Sequence, residues 1–292
     1  MTNEVLLYAL GANFFFALGS QFFTFFSRKV GSNWMNWFKA AFAQVGFCLF
    51  LFATNGFHWV GLQAFLALIA SGVIGLGAGD IFLLLAFKEM GAGRTLMLFA
   101  FQPLIMGGAG YYLFDQQIDF YRFLAIFFFI LCVLIFSVES FKEKKDWGLK
   151  GISFAMLGML LDATGVVITR KMFDGNTELS PMLTNFYRTL GALILFQVMN
   201  AIKPIHFFTP LKSFSGREKA GVLFGALSGT FISLSLYLSA VQKANLASLS
   251  GVAITSTIFS AIFECLWHRK LPSKYLIAAF ICFAFGMRIL LF

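Results

Sequence analysis

Between residues 64 and 87 this chain carries a single charged side chain, Asp80, within an apolar run long enough to cross a bilayer. A helix needs roughly 20 apolar residues to span a hydrocarbon core ~30 Å thick, and runs of that kind recur along the sequence. Ten can be drawn, at about 6–26, 34–53, 64–87, 94–114, 120–138, 151–170, 181–200, 220–241, 246–267 and 275–292. With 59% hydrophobic residues and 12% charged ones, no water-soluble core has room for this surface, so the solvent is a membrane. The gaps between runs are too short for a separate folded domain. The expected fold class is all-α, a polytopic membrane protein of ten transmembrane helices.

Glu4 and no basic residue precede the first run, which is not the charged start of a cleaved signal peptide, so it is kept as a mature helix. Cys48, Cys132, Cys265 and Cys282 all fall inside runs and form no CxxC, so they read as core thiols rather than a disulfide framework or metal knuckle. No cofactor and no metal are implied. The net charge of +9 sits in loops such as "KEKKDWGLK" and "LKSFSGREK", which suits anionic lipid headgroups rather than nucleic acid. Fifteen of the 22 Lys and Arg lie by the loops after odd-numbered runs, which by the positive-inside rule puts both termini outside.

Internal repetition is visible. "MNWFKAAFA" (35–43) and "TNFYRTLGA" (184–192) open the second and seventh runs, matching Asn36 with Asn185 and Lys39 with Arg188. The third and fourth runs track the eighth and ninth at an offset near 154. The expected organisation is therefore two inverted five-helix repeats, 1–138 and 151–292, joined by a charged connecting loop, 139–150. An odd number of helices per repeat inserts the second one upside down, the plan of many secondary transporters, whose site lies near the midplane between the halves.

The Gly-rich third run ending "AFKEMGAGRT", followed by a helix with "FQPLIMGGAGYYLF" and the basic start of the second run, resembles the EamA-type unit of the drug/metabolite transporter superfamily. The resemblance covers essentially the whole chain. It implies a ten-helix exporter with both termini in the cytoplasm, opposite to the charge count, and the two readings of orientation stand side by side. The sequence departs from the family pattern at Gln116 and Gln117 after the fourth run and at "HRKLP" in the second half.

Small polar residues recur at helical spacing on four runs: Asn13, Ala17, Ser20, Thr24 and Ser27; Gly151 to Thr169 with Asp162 at the centre; Gly225, Ser228, Ser235, Ser239 and Gln242; Ser250, Ala253, Thr257, Ser260 and Glu264. Such stripes either pack helices tightly, with hydroxyls bonded to carbonyls, or line a cavity. Aligning "SRK" with "TRK" sets Ser20 opposite Asp162. A carboxylate in hydrocarbon costs ~2.5–3.5 kcal/mol on insertion scales, so Asp80 and Asp162 should face water, a partner or a solute. Asp80 either handles solute or protons or pairs with Lys39 or Arg188; Lys39 and Arg188 either snorkel or bind an anionic group; Glu264 either snorkels or lines the path. Gln102-Pro103 should bend the fourth run. The candidate substrate-binding or coupling residues are thus Asp80, Asp162, Lys39, Arg188, Glu264, Ser20, Asn13, Gln102, Ser235 and Thr257.

The function these features suggest is secondary transport of a small metabolite such as an amino acid or amphipathic cation. It runs by alternating access, with protons as a candidate coupling ion, in a monomer of the inner (plasma) membrane. A flippase or transporter of a lipid-linked or phosphorylated metabolite shares the architecture. A membrane enzyme fits less well, since His58, His206 and His268 are scattered and no HExxH or P-loop is present.

Overall fold

A computed structural model describes residues 2–114, 120–144, 148–244, 246–253, 255–269 and 271–291. Gln116, Gln117 and part of the connecting loop, 145–147, lie outside the described residues, as do the side chains of Cys132 and Ser250. The described residues form helices joined by short loops. Helix α1 is Asn3–Val30, α2 Ser32–Ala53, α3 Leu62–Met90, α4 residues 92–114, α5 Phe120–Lys144 and α6 Leu149–Gly175. There follow α7 Pro181–Ile202, α8 Gly216–Lys243, α9 Leu246–Ala253, α10 Thr255–His268 and α11 Lys274–Leu291. Five of these, α1, α2, α3, α6 and α8, are long and apolar enough to cross a membrane.

Local chemistry sets the boundaries. Gly31 and Gly91 separate α1 from α2 and α3 from α4 at φ values of 104° and 88°, a region that side chains with a Cβ rarely enter. Ser180 accepts from Leu183 N ahead of Pro181, and Ser215 and Glu218 form a reciprocal capping box at the start of α8. In α4 a 3-10 turn at Phe99–Phe101 precedes Pro103, whose ring would meet the carbonyl of Phe99 in a regular α-helix. The bend expected at Gln102-Pro103 therefore takes the form of a tightened turn just before it.

Two helices depart from α geometry at matched places. Gly72–Gly79 in α3 and Leu227–Ile232 in α8 are π-helical. Each widened segment is served by an asparagine from the preceding repeat-matched helix. Asn36 Nδ2 donates to the carbonyls of Leu76 at 3.1 Å and Gly77 at 2.9 Å, and Asn185 Nδ2 donates to Leu234 at 2.9 Å, just past the second segment. Displaced carbonyls in a membrane interior need such donors, because no water is there to supply them.

The two halves interlock through these same helices. Helix α3 packs against α6 and α7, and α8 packs against α1 and α2. At each crossing two glycines meet: a Cβ on Gly165 would lie 3.1 Å from Gly75 Cα, and one on Gly229 would lie 2.8 Å from Gly19 Cα. Ion pairs tie the ends of the same antiparallel helices. Glu4 pairs with Lys243 at 2.8 Å, Lys150 with Glu89 at 3.3 Å, and Lys29 with Glu218. The pair Glu4–Lys243 has the position of Lys150–Glu89 with the charges exchanged. Gly19 and Glu4 thus correspond to Gly165 and Lys150, so Phe16, not Ser20, occupies the place of Asp162. The "SRK" to "TRK" alignment was one turn out, because a short shared triplet outweighed the glycine crossing that fixes the register.

Candidate functional site

The middle of α1, α3 and α8 lines a cavity of about 100 Å³. Along each helix the residues on either side of it belong to different apolar clusters. Val5 and Ala9, Leu68, and Leu238 and Val241 gather with Leu183 and Tyr187 at one end. Phe23 and Phe26, Leu84 and Phe87, and Val222 and Ala226 gather with Trp34, Trp37 and Phe38 at the other. A water needs about 10–15 Å³ of such space, so the cavity has room for several waters or one small solute.

Its polar groups are few and specific. Asp80 follows directly on the π segment of α3, and Lys39 on α2 donates to its Oδ2 at 2.5 Å. Both residues are buried, 8% and 3% exposed, and the Lys39 ammonium lies 5.3 Å from the centre of the Phe23 ring. Asp80 is tolerated inside a span because Lys39 neutralises it, with the Phe23 ring beside the ammonium. Lys39 does not snorkel.

Asp162 on α6 is placed differently. The Gln102 amide donates to its Oδ2 at 3.1 Å, and no basic side chain is bonded to it among the described residues. Around it the lining includes Phe16, Phe99 and Tyr237, with the hydroxyl residues Thr230, Ser233 and Ser256. Asn13 also lines the cavity, but its Nδ2 is engaged by the Val252 carbonyl at 2.9 Å and Thr255 Oγ1 at 3.2 Å, which fasten α1 to α9 and α10. Of the sequence candidates, the structure therefore brings Asn13, Lys39, Asp80, Gln102 and Asp162 to one cavity.

The other five lie outside its lining. Ser20 donates to the Ala17 carbonyl at 2.7 Å and Ser235 to the Phe231 carbonyl at 2.6 Å, each closing a bond within its own helix. Thr257 Oγ1 donates to Leu96 O at 3.0 Å and joins α10 to α4. The Glu264 carboxylate lies against the first turn of α4, 2.6 Å from where a Cβ on Gly93 would sit, close to helix-start N–H groups. Arg188 is 1% exposed and neither snorkels nor reaches the lining; its Nε donates to Ser71 Oγ at 3.0 Å. Ser71 in turn donates to Gly165 O at 2.7 Å, with Thr169 Oγ1 2.8 Å away, so these groups lock α3 to α6 and α7.

Tyr237, Phe16 and Thr230 escaped the sequence reading. Tyr237 stands inside "SLYLSAVQ", whose serines drew the attention, and Phe16 is one of 41 phenylalanines. The signal that finds Phe16 is its register with Asp162 through the paired glycines.

Comparison with known proteins bears on the whole chain. A family model described as the EamA-like transporter family matches residues 4–138 and again 149–292. A chloroplastic WAT1-related protein of Arabidopsis thaliana is 21% identical over 214 residues, which is 72% of this chain and 51% of that protein. The chain thus spans about half the length of the curated relative it matches. A solved crystal structure covers 98% of this chain and 97% of its own at a TM-score of 0.73 and 13% identity, a likeness that shows the fold. With the same family model matched in both halves, the chain belongs to the EamA-like transporter family.

Proposed function

We propose that this protein is a secondary transporter that exports a small solute bearing one positive charge on an apolar or aromatic body, such as an amine or an amphipathic cation. Two five-helix units, 1–138 and 151–292, joined by 139–150, move about the central cavity as ten membrane spans. One observation carries the choice of charge. Lys39 already neutralises Asp80, whereas among the described residues Asp162 is bonded by the Gln102 amide alone. The cavity is thus left one negative charge in excess in surroundings where an unpaired carboxylate is unfavourable. Phe16, Phe99 and Tyr237 supply aromatic rings to the lining, and a cation over a ring face is attracted by ~0.5–2 kcal/mol.

A phosphorylated or lipid-linked solute is supported less well, because Lys39 is the basic residue among the described lining and it is committed to Asp80. A proton on Asp162 would serve as the alternative cation and couple transport to a pH gradient. The plasma membrane is the location proposed, with the protein acting as a monomer.

The test uses purified protein in proteoliposomes with phenyltrimethylammonium, a fixed cation that carries no proton, against the anion benzenesulfonate. Wild type should move the cation and not the anion. Asp162→Asn should abolish cation movement while leaving the melting temperature of the protein within a few degrees. Anion movement, or cation movement that survives Asp162→Asn, refutes the reading.

A further inference from the structure

Arg188 is left with a need that the cavity as described does not meet. Its single bond is from Nε to the Ser71 hydroxyl, and Nη1 has no acceptor among the described residues. A guanidinium carries five N–H donors and stays charged, so one hydroxyl leaves most of its requirement unfilled in a dry interior. The repeat-matched base on α2, Lys39, has a carboxylate; Arg188 on α7 has none bonded to it among the described residues.

An acid, Asp162, stands across Gly75 from it. The point that a Cβ on Gly75 would fill lies 3.5 Å from Arg188 Nη2 and 3.8 Å from Asp162 Cα. Glycine leaves that space open between the two residues. Asp162, for its part, is turned to Gln102 and to the cavity.

We infer that Arg188 is the internal counter-ion of Asp162: it takes that carboxylate when the unloaded protein reorients and yields it when a cationic solute enters. This rests on the reading of Asp162 as the solute's partner. Without an internal cation, the unloaded protein would have to carry an uncompensated negative charge through its closed intermediate, and transport would be confined to exchange of one solute for another. With Arg188 the charge is cancelled, and the empty protein returns by itself. Arg188 acts as a positioning residue in this scheme and does not touch the solute.

Two fluxes separate the possibilities. Proteoliposomes loaded with phenyltrimethylammonium are diluted into medium lacking it, for net efflux, or containing it, for exchange. Arg188→Gln should slow net efflux tenfold or more while exchange stays within twofold, and Arg188→Lys should recover most of the net flux. Gly75→Ala gives a second variant whose new methyl meets only contacts of 3.5 Å and longer, so the fold is kept while the space between the Arg188 guanidinium and the Asp162 main chain is filled. It too should depress net efflux selectively. Equal loss of both fluxes in these variants overturns the inference. A melting-temperature cycle over Arg188→Gln, Asp162→Asn and the double variant reads the pair with no solute present. The double variant should melt higher than the summed single losses predict, and additive losses overturn the pairing. If wild type moves none of the cation, the transport reading has failed and the melting cycle alone decides the pair.

Discussion

Removing Asp80 while Lys39 remains gives the most quantitative check on the site. In Asp80→Leu the Lys39 ammonium, 3% exposed, loses its carboxylate and keeps only the Phe23 ring. Breaking a buried ion pair by deleting one partner costs about 3–5 kcal/mol, because the surviving charge is stranded. The ring offers at most ~2 kcal/mol of compensation and already does so in the wild type, so it does not soften the change. At roughly 2–4 °C per kcal/mol for a chain of this order of size, the apparent melting temperature should fall by roughly 6–20 °C. The double variant Lys39→Met/Asp80→Leu should recover most of that loss, since apolar residues of similar volume replace buried pairs at little or no cost. Tryptophan fluorescence or a thiol-dye melt in detergent reads the shift. A fall below about 2 °C in the single variant, or a double variant no better than the single, would show that water reaches the pair and that the pair is not held in a dry interior.

The glycines divide into two groups with opposite expectations. Gly72→Ala places a methyl on the carbonyl of Arg188 and should prevent accumulation of folded protein, whereas Gly108→Ala has open space around it and should stabilise by up to ~1 kcal/mol through helix propensity. Expression and melting of the two variants side by side check this. Arg170→Ala removes a side chain whose Nη1 donates to the carbonyls of Val241 at 2.5 Å, Gln242 at 3.2 Å and Ala244 at 2.7 Å. Amide hydrogen exchange should rise in the last turn of α8 and not at its start. Lys243→Ala breaks an exposed pair with Glu4 and removes the ammonium from over the Tyr8 ring, and should leave the melting temperature nearly unchanged.

Which parts of this were legible before coordinates depends on what a residue's neighbours are. The helices follow from uninterrupted apolar length, which is a property of the chain alone. Asp80 with Lys39 was one of the readings the sequence allowed, since both are charges that cannot face lipid. The polar stripes were not decidable in the same way. A serine at a fixed helical spacing shows on which side its hydroxyl emerges, yet Ser20 and Ser235 turn back to a carbonyl of their own helix, a choice made by local geometry that spacing does not encode. The π segments were hidden too, because an extra residue per turn leaves composition unchanged; only the matched Gly- and Ser-rich stretches of α3 and α8 hinted at them.

The glycine crossings have a mechanical meaning. Where Gly19 meets Gly229 and Gly75 meets Gly165, main chain approaches main chain directly, with the Phe23 ring and the Arg188 guanidinium beside the contacts. Under the proposed function, two such close crossings, both between the first half and the second, are where one body would tilt against the other with little interdigitation to disengage. Resistance to such a tilt then falls to the few bonded groups beside the crossings, so the rate of tilting is adjustable by single substitutions there without rebuilding the surrounding protein.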